Sequence, residues 1–124
     1  MQAYSDKVLD QVDKERVIFP HRLYQESCNK LEYAKEDLKE LVKDLEWLDR
    51  DMKRTLLLDT KPLAFWCNPD NGMPVKPFRG GSLDEQELSE VVRLLRTLKD
   101  QEDIRPELKK RFFLRDCLRE SNML

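Results

Sequence analysis

Apolar residues return at threes and fours in several stretches of the chain, and bunch without that period in others. Tyr4, Val8, Leu9 and Val12 share one face and predict a short helix over Ala3 to Asp13, ending in the charged cluster Asp13-Lys14-Glu15-Arg16. Leu31, Ala34, Leu38, Leu41, Val42, Leu45 and Leu48 give the clearest helix by local rules, with Asn29 as its cap and Glu32 at the third helical position. Lysines and glutamates alternate on its other face, as in KEDLKE, and read as a solvated surface. After Gly80-Gly81, Ser82 and Glu85 form a capping box for a helix carrying Leu88, Val91, Val92, Leu95 and Leu98 up to about Lys99. Gln101 to Arg105 is a polar connector. Pro106 suits the first turn of a last helix with Leu108, Phe112, Phe113 and Leu118, fraying from Ser121.

The remaining apolar runs are extended. Thr55 to Leu58 reads as a buried strand, and Met73 to Phe78 as a second short one. Val17-Ile18-Phe19 before Pro20 reads as a brief extended segment, and Arg22 to Cys28 as a weaker strand. The first of these strands ends in Asp59, followed by Thr60-Lys61-Pro62. Proline disfavours helical geometry at Lys61, so the chain leaves the strand at the acid. An acid at the carboxyl end of a buried parallel strand stands where open α/β sheets form their ligand crevices. Asn68-Pro69-Asp70-Asn71-Gly72 is a dense turn signal between the two strands.

Composition narrows the possibilities. The 124 residues make one domain or part of one. Hydrophobic residues are 40% and charged residues 39%, with a mean hydropathy of -0.74, yet the apolar positions are patterned enough to argue against wholesale disorder. The 23 basic and 25 acidic residues are mixed along the chain, so no basic stripe favours nucleic acid. The three cysteines, Cys28, Cys67 and Cys117, lack zinc spacing and a disulfide framework, and read as free thiols in a reducing compartment. No run has the length of a membrane span, and the start has the form of neither a secretory signal nor a transit peptide.

Candidate chemistry is sparse. A phosphate loop, a nucleophile elbow and a His-Glu metal motif are all missing from the sequence. Asp59 either holds a divalent cation, since hard cations prefer carboxylate oxygens, or caps the following turn with its own side chain; spacing alone favours the cap. Lys43 either neutralises a phosphate as a point charge or is one more solvated helix lysine, and spacing alone favours the latter. Gly80-Gly81 reads as a hinge and His21 as a surface or satisfied histidine. Phe65-Trp66 read as packing against the sheet, and Cys67 as a small buried hydrophobe.

Taken in order, MQAYSDKVLDQVD, HRLYQESC, LVKDLEWLDRDMKRTLLLDTKP, NPDNGMPVKPF, the helix from Glu87 to Leu98 and Asp103-Ile104-Arg105 resemble the carboxyl-terminal half of the RNA polymerase II C-terminal-domain phosphatase homology domain. That family, in the haloacid dehalogenase superfamily, includes small nuclear phosphatases, dullard-like nuclear-envelope phosphatases and the related receptor subunit of the mitochondrial presequence translocase. The resemblance implies an α/β fold: a partial Rossmannoid sheet with flanking helices, lacking the first strand and its helix. Residues 1–124 are then the carboxyl-terminal portion of one such domain, with a core over about 1–99 and a terminal helix over about 106–120. It implies a magnesium-dependent phosphomonoesterase acting on phosphoserine or phosphothreonine proteins. Lys43 matches the lysine that steadies the phosphoryl group, and Asp59 the first residue of the acidic motif beside magnesium. Thr60 stands where the family usually has a magnesium-ligating Asn or Asp. The Asp-x-Asp-x-Thr segment, with the nucleophile, would precede Met1, so this chain is expected to be inactive alone. LEYAKEDLKE is longer than the family's turn before its lysine, and the local helix pattern places Lys43 on a helix. The partners implied are a phosphoprotein or translocase subunits, with no nucleic acid and no membrane span in this chain. The compartments implied are nuclear or cytoplasmic, or alternatively the mitochondrial inner membrane.

Overall fold

The computed structural model describes residues 2–32, 39–81 and 86–121, and the chain forms two compact units, Met1–Lys43 and Asp44–Leu124. The first begins with helix α1, Gln2–Asp13. Asp13 closes it by turning a buried carboxylate onto the amides of Val17, Ile18 and Phe19, at 2.8, 3.1 and 2.6 Å. Burial alone would push that carboxyl up, but the three amides outweigh it and hold it below the usual carboxylate range. Those amides are thus spent on Asp13, and the expected extended segment at Val17-Ile18-Phe19 is a series of bends. Arg22, with its side chain buried, pairs with Asp6 at 3.1 Å and Asp10 at 2.9 Å, and donates to the Asp13 carbonyl at 2.9 Å. The Tyr24 hydroxyl donates to Asp6 at 2.6 Å, which lowers the Asp6 carboxyl and raises the Tyr24 phenol. Arg22 to Cys28 is therefore no strand. Its side chains fasten α1, and its backbone makes a 3₁₀ turn at Gln25–Ser27.

The expected long helix from Asn29 is also overturned. Strands β1, Asn29–Glu32, and β2, Lys39–Val42, pair antiparallel with Asn29 opposite Val42 and Glu32 opposite Lys39. Residues 33–38, with Ala34 and Leu38 of the expected stripe, lie outside the described residues. A helix of this length draws most of its stability from packing an apolar face. Two four-residue segments facing each other satisfy their backbone groups by the ladder instead. Leu45–Leu48, the far end of the same stripe, is a separate 3₁₀ turn opened by Asp44, whose carboxylate accepts from Glu46 N at 3.0 Å.

In the second unit, β3, Leu57–Asp59, runs parallel to β4, Gly72–Pro74, with Leu57 opposite Gly72 and Asp59 opposite Pro74. Both expected strands exist, shorter than their apolar runs. A parallel pair needs a connection of roughly a dozen residues, usually a helix. Here two 3₁₀ turns, Pro62–Phe65 and Pro69–Asn71, make it. Phe65 is fully buried, and a Cβ on Gly72 would meet its ring and stand 2.6 Å from Leu114 Cδ1. Only glycine allows that approach.

Three helices complete the unit: α2, Glu87–Leu98; α3, Arg105–Phe112; and α4, Leu114–Glu120. Met73, Val91, Leu98, Ile104 and Leu108 form the core, with Leu56, Val75, Leu94 and Phe112 packed against it. The capping residues Ser82 and Glu85 lie outside the described residues. The apolar stripe of α2 is only partly covered: Val91 and Leu98 are buried, but Leu88, Val92 and Leu95 are 68%, 46% and 41% exposed. The stripe spans a wider arc than the core facing it. The expected terminal helix is divided at Phe113, whose φ of 52° is left-handed. That bend lets Leu108 on one side and Leu114 and Leu118 on the other all be buried. The class is α/β, with four α-helices and a small parallel sheet among the described residues.

Candidate functional site

Asp59 is the last residue of β3 and is half-buried. Its carbonyl accepts from Val75 N at 3.0 Å, extending the parallel ladder one bond past β4. Its carboxylate Oδ1 accepts from Thr60 N at 2.7 Å and Lys61 N at 3.0 Å. The side chain thus turns the chain out of the strand by binding the next two amides, the local role that Asp fills in many turns. Thr60 is adjacent and exposed. Lys43 is exposed and follows β2 directly, so the expected place on a helix is corrected to the end of a strand. Lys43 belongs to the first unit, Asp59 and Thr60 to the second.

The donor set at Asp59 is small for a metal. Magnesium demands near-ideal octahedral oxygen geometry, often from one or two carboxylates plus waters and a substrate phosphate. Here one carboxylate, with Oδ1 already holding two amides, is followed by an exposed threonine hydroxyl. Among the described residues, no group of three or more His, Cys, Asp or Glu converges as a metal site. These residues by themselves do not fit a magnesium ion.

Several residues that shape this region carried no chemical signal in the sequence. Asn68 accepts from Leu45 N at 2.9 Å through its side-chain oxygen. Arg115 pairs with Asp70 at 3.2 Å, joining α4 to the turn before β4. Arg54 donates to the carbonyls of Leu98 at 3.3 Å, Lys99 at 2.8 Å and Gln101, and so closes the carboxyl end of α2. Cys67 is half-buried, and burial, with Asp44 and Glu46 nearby, pushes its thiol up, which suits an unreactive packing residue. His21 is exposed. A groove of about 310 Å³ lies at β4, lined in part by Met73, Val75, Val91, Leu94 and Phe112; Asp59 does not line it.

A strand-end acid, followed by a capped turn and a short parallel partner strand, belongs to an α/β chain, the class in which ligand crevices commonly lie at strand ends. The model of the NLI interacting factor-like phosphatase family matches residues 1–105, and the chain belongs to that family. The architecture is consistent with part of a haloacid-dehalogenase-like fold. A probable C-terminal domain small phosphatase of Dictyostelium discoideum is 36% identical over 107 residues, covering 85% of this chain and 32% of the relative. CTD small phosphatase-like protein 2 of the same organism is 32% identical over 113 residues, covering 91% and 18%. The mitochondrial import inner membrane translocase subunit TIM50 of Debaryomyces hansenii is 32% identical over 109 residues, covering 86% and 21%. The chain therefore spans less than a third of the length of these relatives. Among the described residues no helix is long and apolar enough to cross a membrane.

Proposed function

We propose that these residues are the carboxyl-terminal part of a magnesium-dependent phosphoprotein serine/threonine phosphatase-like domain, lacking its first strand and helix. On this reading Asp59 is the acid beside the metal, Lys43 steadies the phosphoryl group, and Thr60 replaces a metal ligand with a poorer one. The observation that carries the reading is Asp59 at the carboxyl end of a parallel strand, within a family match over residues 1–105. The 124 residues contain no Asp-x-Asp-x-Thr; Asp49-Arg50-Asp51 has the acid spacing, but Lys53 stands in the threonine's place. Asp51 is occupied locally, accepting from Lys53 N at 3.0 Å. The 124-residue chain alone accordingly has no phosphatase activity. Magnesium, a phosphoprotein substrate and the rest of the site come with the remainder of such a domain. The purified chain is expected to leave p-nitrophenyl phosphate intact with or without magnesium. Magnesium-dependent turnover lost in Asp59→Ala would overturn this.

A second reading is a non-catalytic subunit like the translocase relatives, favoured by Thr60 at the ligand position and by the match to TIM50. Supplying the amino-terminal half of the Dictyostelium small phosphatase domain in trans separates the two. Activity that needs Lys43 and Asp59 supports the phosphatase. Binding of Arg-rich amphipathic presequence peptides, without activity, supports the translocase reading. The compartment follows the same division: nuclear or cytoplasmic for the first, mitochondrial inner membrane for the second.

A further inference from the structure

We propose that Asn71 is the positioning residue that sets where Asp59 stands; its functional weight rests on the reading of Asp59 just given. Asn71 is 3% exposed, and its side-chain nitrogen donates to the carbonyls of both Met52, at 2.7 Å, and Thr55, at 2.8 Å. Both N–H groups of one carboxamide are thus spent on the segment that leads into β3. The backbone of the same residue leads into β4, whose first residue, Gly72, is the register partner of Leu57. One side chain therefore fastens the entrances of the two parallel strands to each other.

That fastening matters because the ladder is short. Three register pairs, Leu57 with Gly72, Leu58 with Met73 and Asp59 with Pro74, make up the ladder, so the contact at its entrance adds to the alignment that burial of Met73 favours. Pro74 also has no N–H to donate. The bond that holds the far end, Val75 N to the Asp59 carbonyl at 3.0 Å, depends on the alignment set at the near end. A one-residue slip would turn the strand's side chains to the opposite face and move the Asp59 carboxylate with them. Gly72 reinforces the setting, because its backbone lies against Phe65 and Leu114 with no room for a side chain. The chemistry at position 71 is specific. Aspartate has the shape without the donors, and leucine has the volume without the polarity. Asn71 acts on Asp59 only through the ladder.

The test is amide hydrogen exchange and chemical shift by NMR on the full 124-residue chain. In Asn71→Ala and the near-isosteric Asn71→Asp, protection of the Val75 amide is expected to fall roughly tenfold or more, and the Thr60 and Lys61 amides to shift. Leu98→Ala, a core deletion on α2, an element that carries none of the ladder's residues, is the control, expected to leave those three shifts in place. Unchanged Val75, Thr60 and Lys61 signals in the Asn71 variants, or equal changes in the control, overturn the proposal. Should both variants fail to fold, the wild type still decides. Couplings across hydrogen bonds from the Asn71 carboxamide to the Met52 and Thr55 carbonyls are expected, and their absence overturns the proposal. None of these readouts needs activity. A failed phosphatase reading leaves the positioning result standing, and a failed positioning result leaves the phosphatase assay untouched.

Discussion

A methyl group at Gly72 would stand 2.6 Å from Leu114 Cδ1 and 2.9 Å from Phe65 Cε1, both side chains of a packed interior. One of these buried side chains must shift to admit it, so Gly72→Ala is expected to destabilise the second unit by about 2 kcal/mol, the usual scale of overpacking. A lower urea midpoint checks it. Asp103 offers a test by pH. Arg105, at 2.9 Å in a two-pronged pair, holds the Asp103 carboxyl down from 3.8 to about 2. Between those values the unfolded chain binds the proton and the folded chain does not, so stability rises with pH across that window. The contribution of the pair is present above about pH 4 and is lost as pH falls towards about 2. Acid unfolding of the wild type should be steeper across that window than that of Asp103→Asn.

At the scale of elements, the carboxyl end of α2 depends on a side chain from far away in sequence. Arg54 donates to the carbonyls of Leu98 and Lys99 at the end of α2 and of Gln101 just past it, adding to the bond that the Leu98 carbonyl accepts from Gln101 N. Arg54→Ala is expected to cost roughly 1 kcal/mol, with fraying of the last turn of α2 seen as faster exchange of its amides. No local pattern marks such a cap. What the sequence carried well was the strand that ends in Asp59: an apolar run, an acid, then a proline three residues later leaves the chain one way to go. It also carried α1 and α2, where apolar residues at helical spacing meet few competing signals. It misled at Asn29 to Leu48, because two short strands and a 3₁₀ turn can space leucines as a helix does. Arg22 and Asp13 escaped notice for another reason. Their partners lie up to sixteen residues away and exist only once α1 has formed. The candidate site was legible to the same extent. Asp59 announced itself as an acid at a strand end, whereas Asn71 looked like an ordinary turn residue because both of its partners are brought to it by folding.

Across the whole molecule, the apolar surface is unevenly covered. Leu88, Val92 and Leu95 remain exposed on α2 while Val91 and Leu98 are buried. Leu88→Lys combined with Val92→Lys is therefore expected to change stability by no more than about 0.5 kcal/mol per site and to raise solubility. Denaturation midpoints with precipitation thresholds check both halves of that expectation. Another consequence concerns the order in which the chain assembles. The ladder joins Leu57 to Gly72 across some fifteen residues, whereas the clasp of Arg54 on α2 spans 44 to 47. Closing a loop about three times longer costs about 1 kcal/mol more in chain entropy. The two strands and their 3₁₀ connection can therefore meet as a local unit early in folding, and α2 is drawn onto them afterwards. On that order Arg54 acts as a latch, closing late on a nucleus that already has its register.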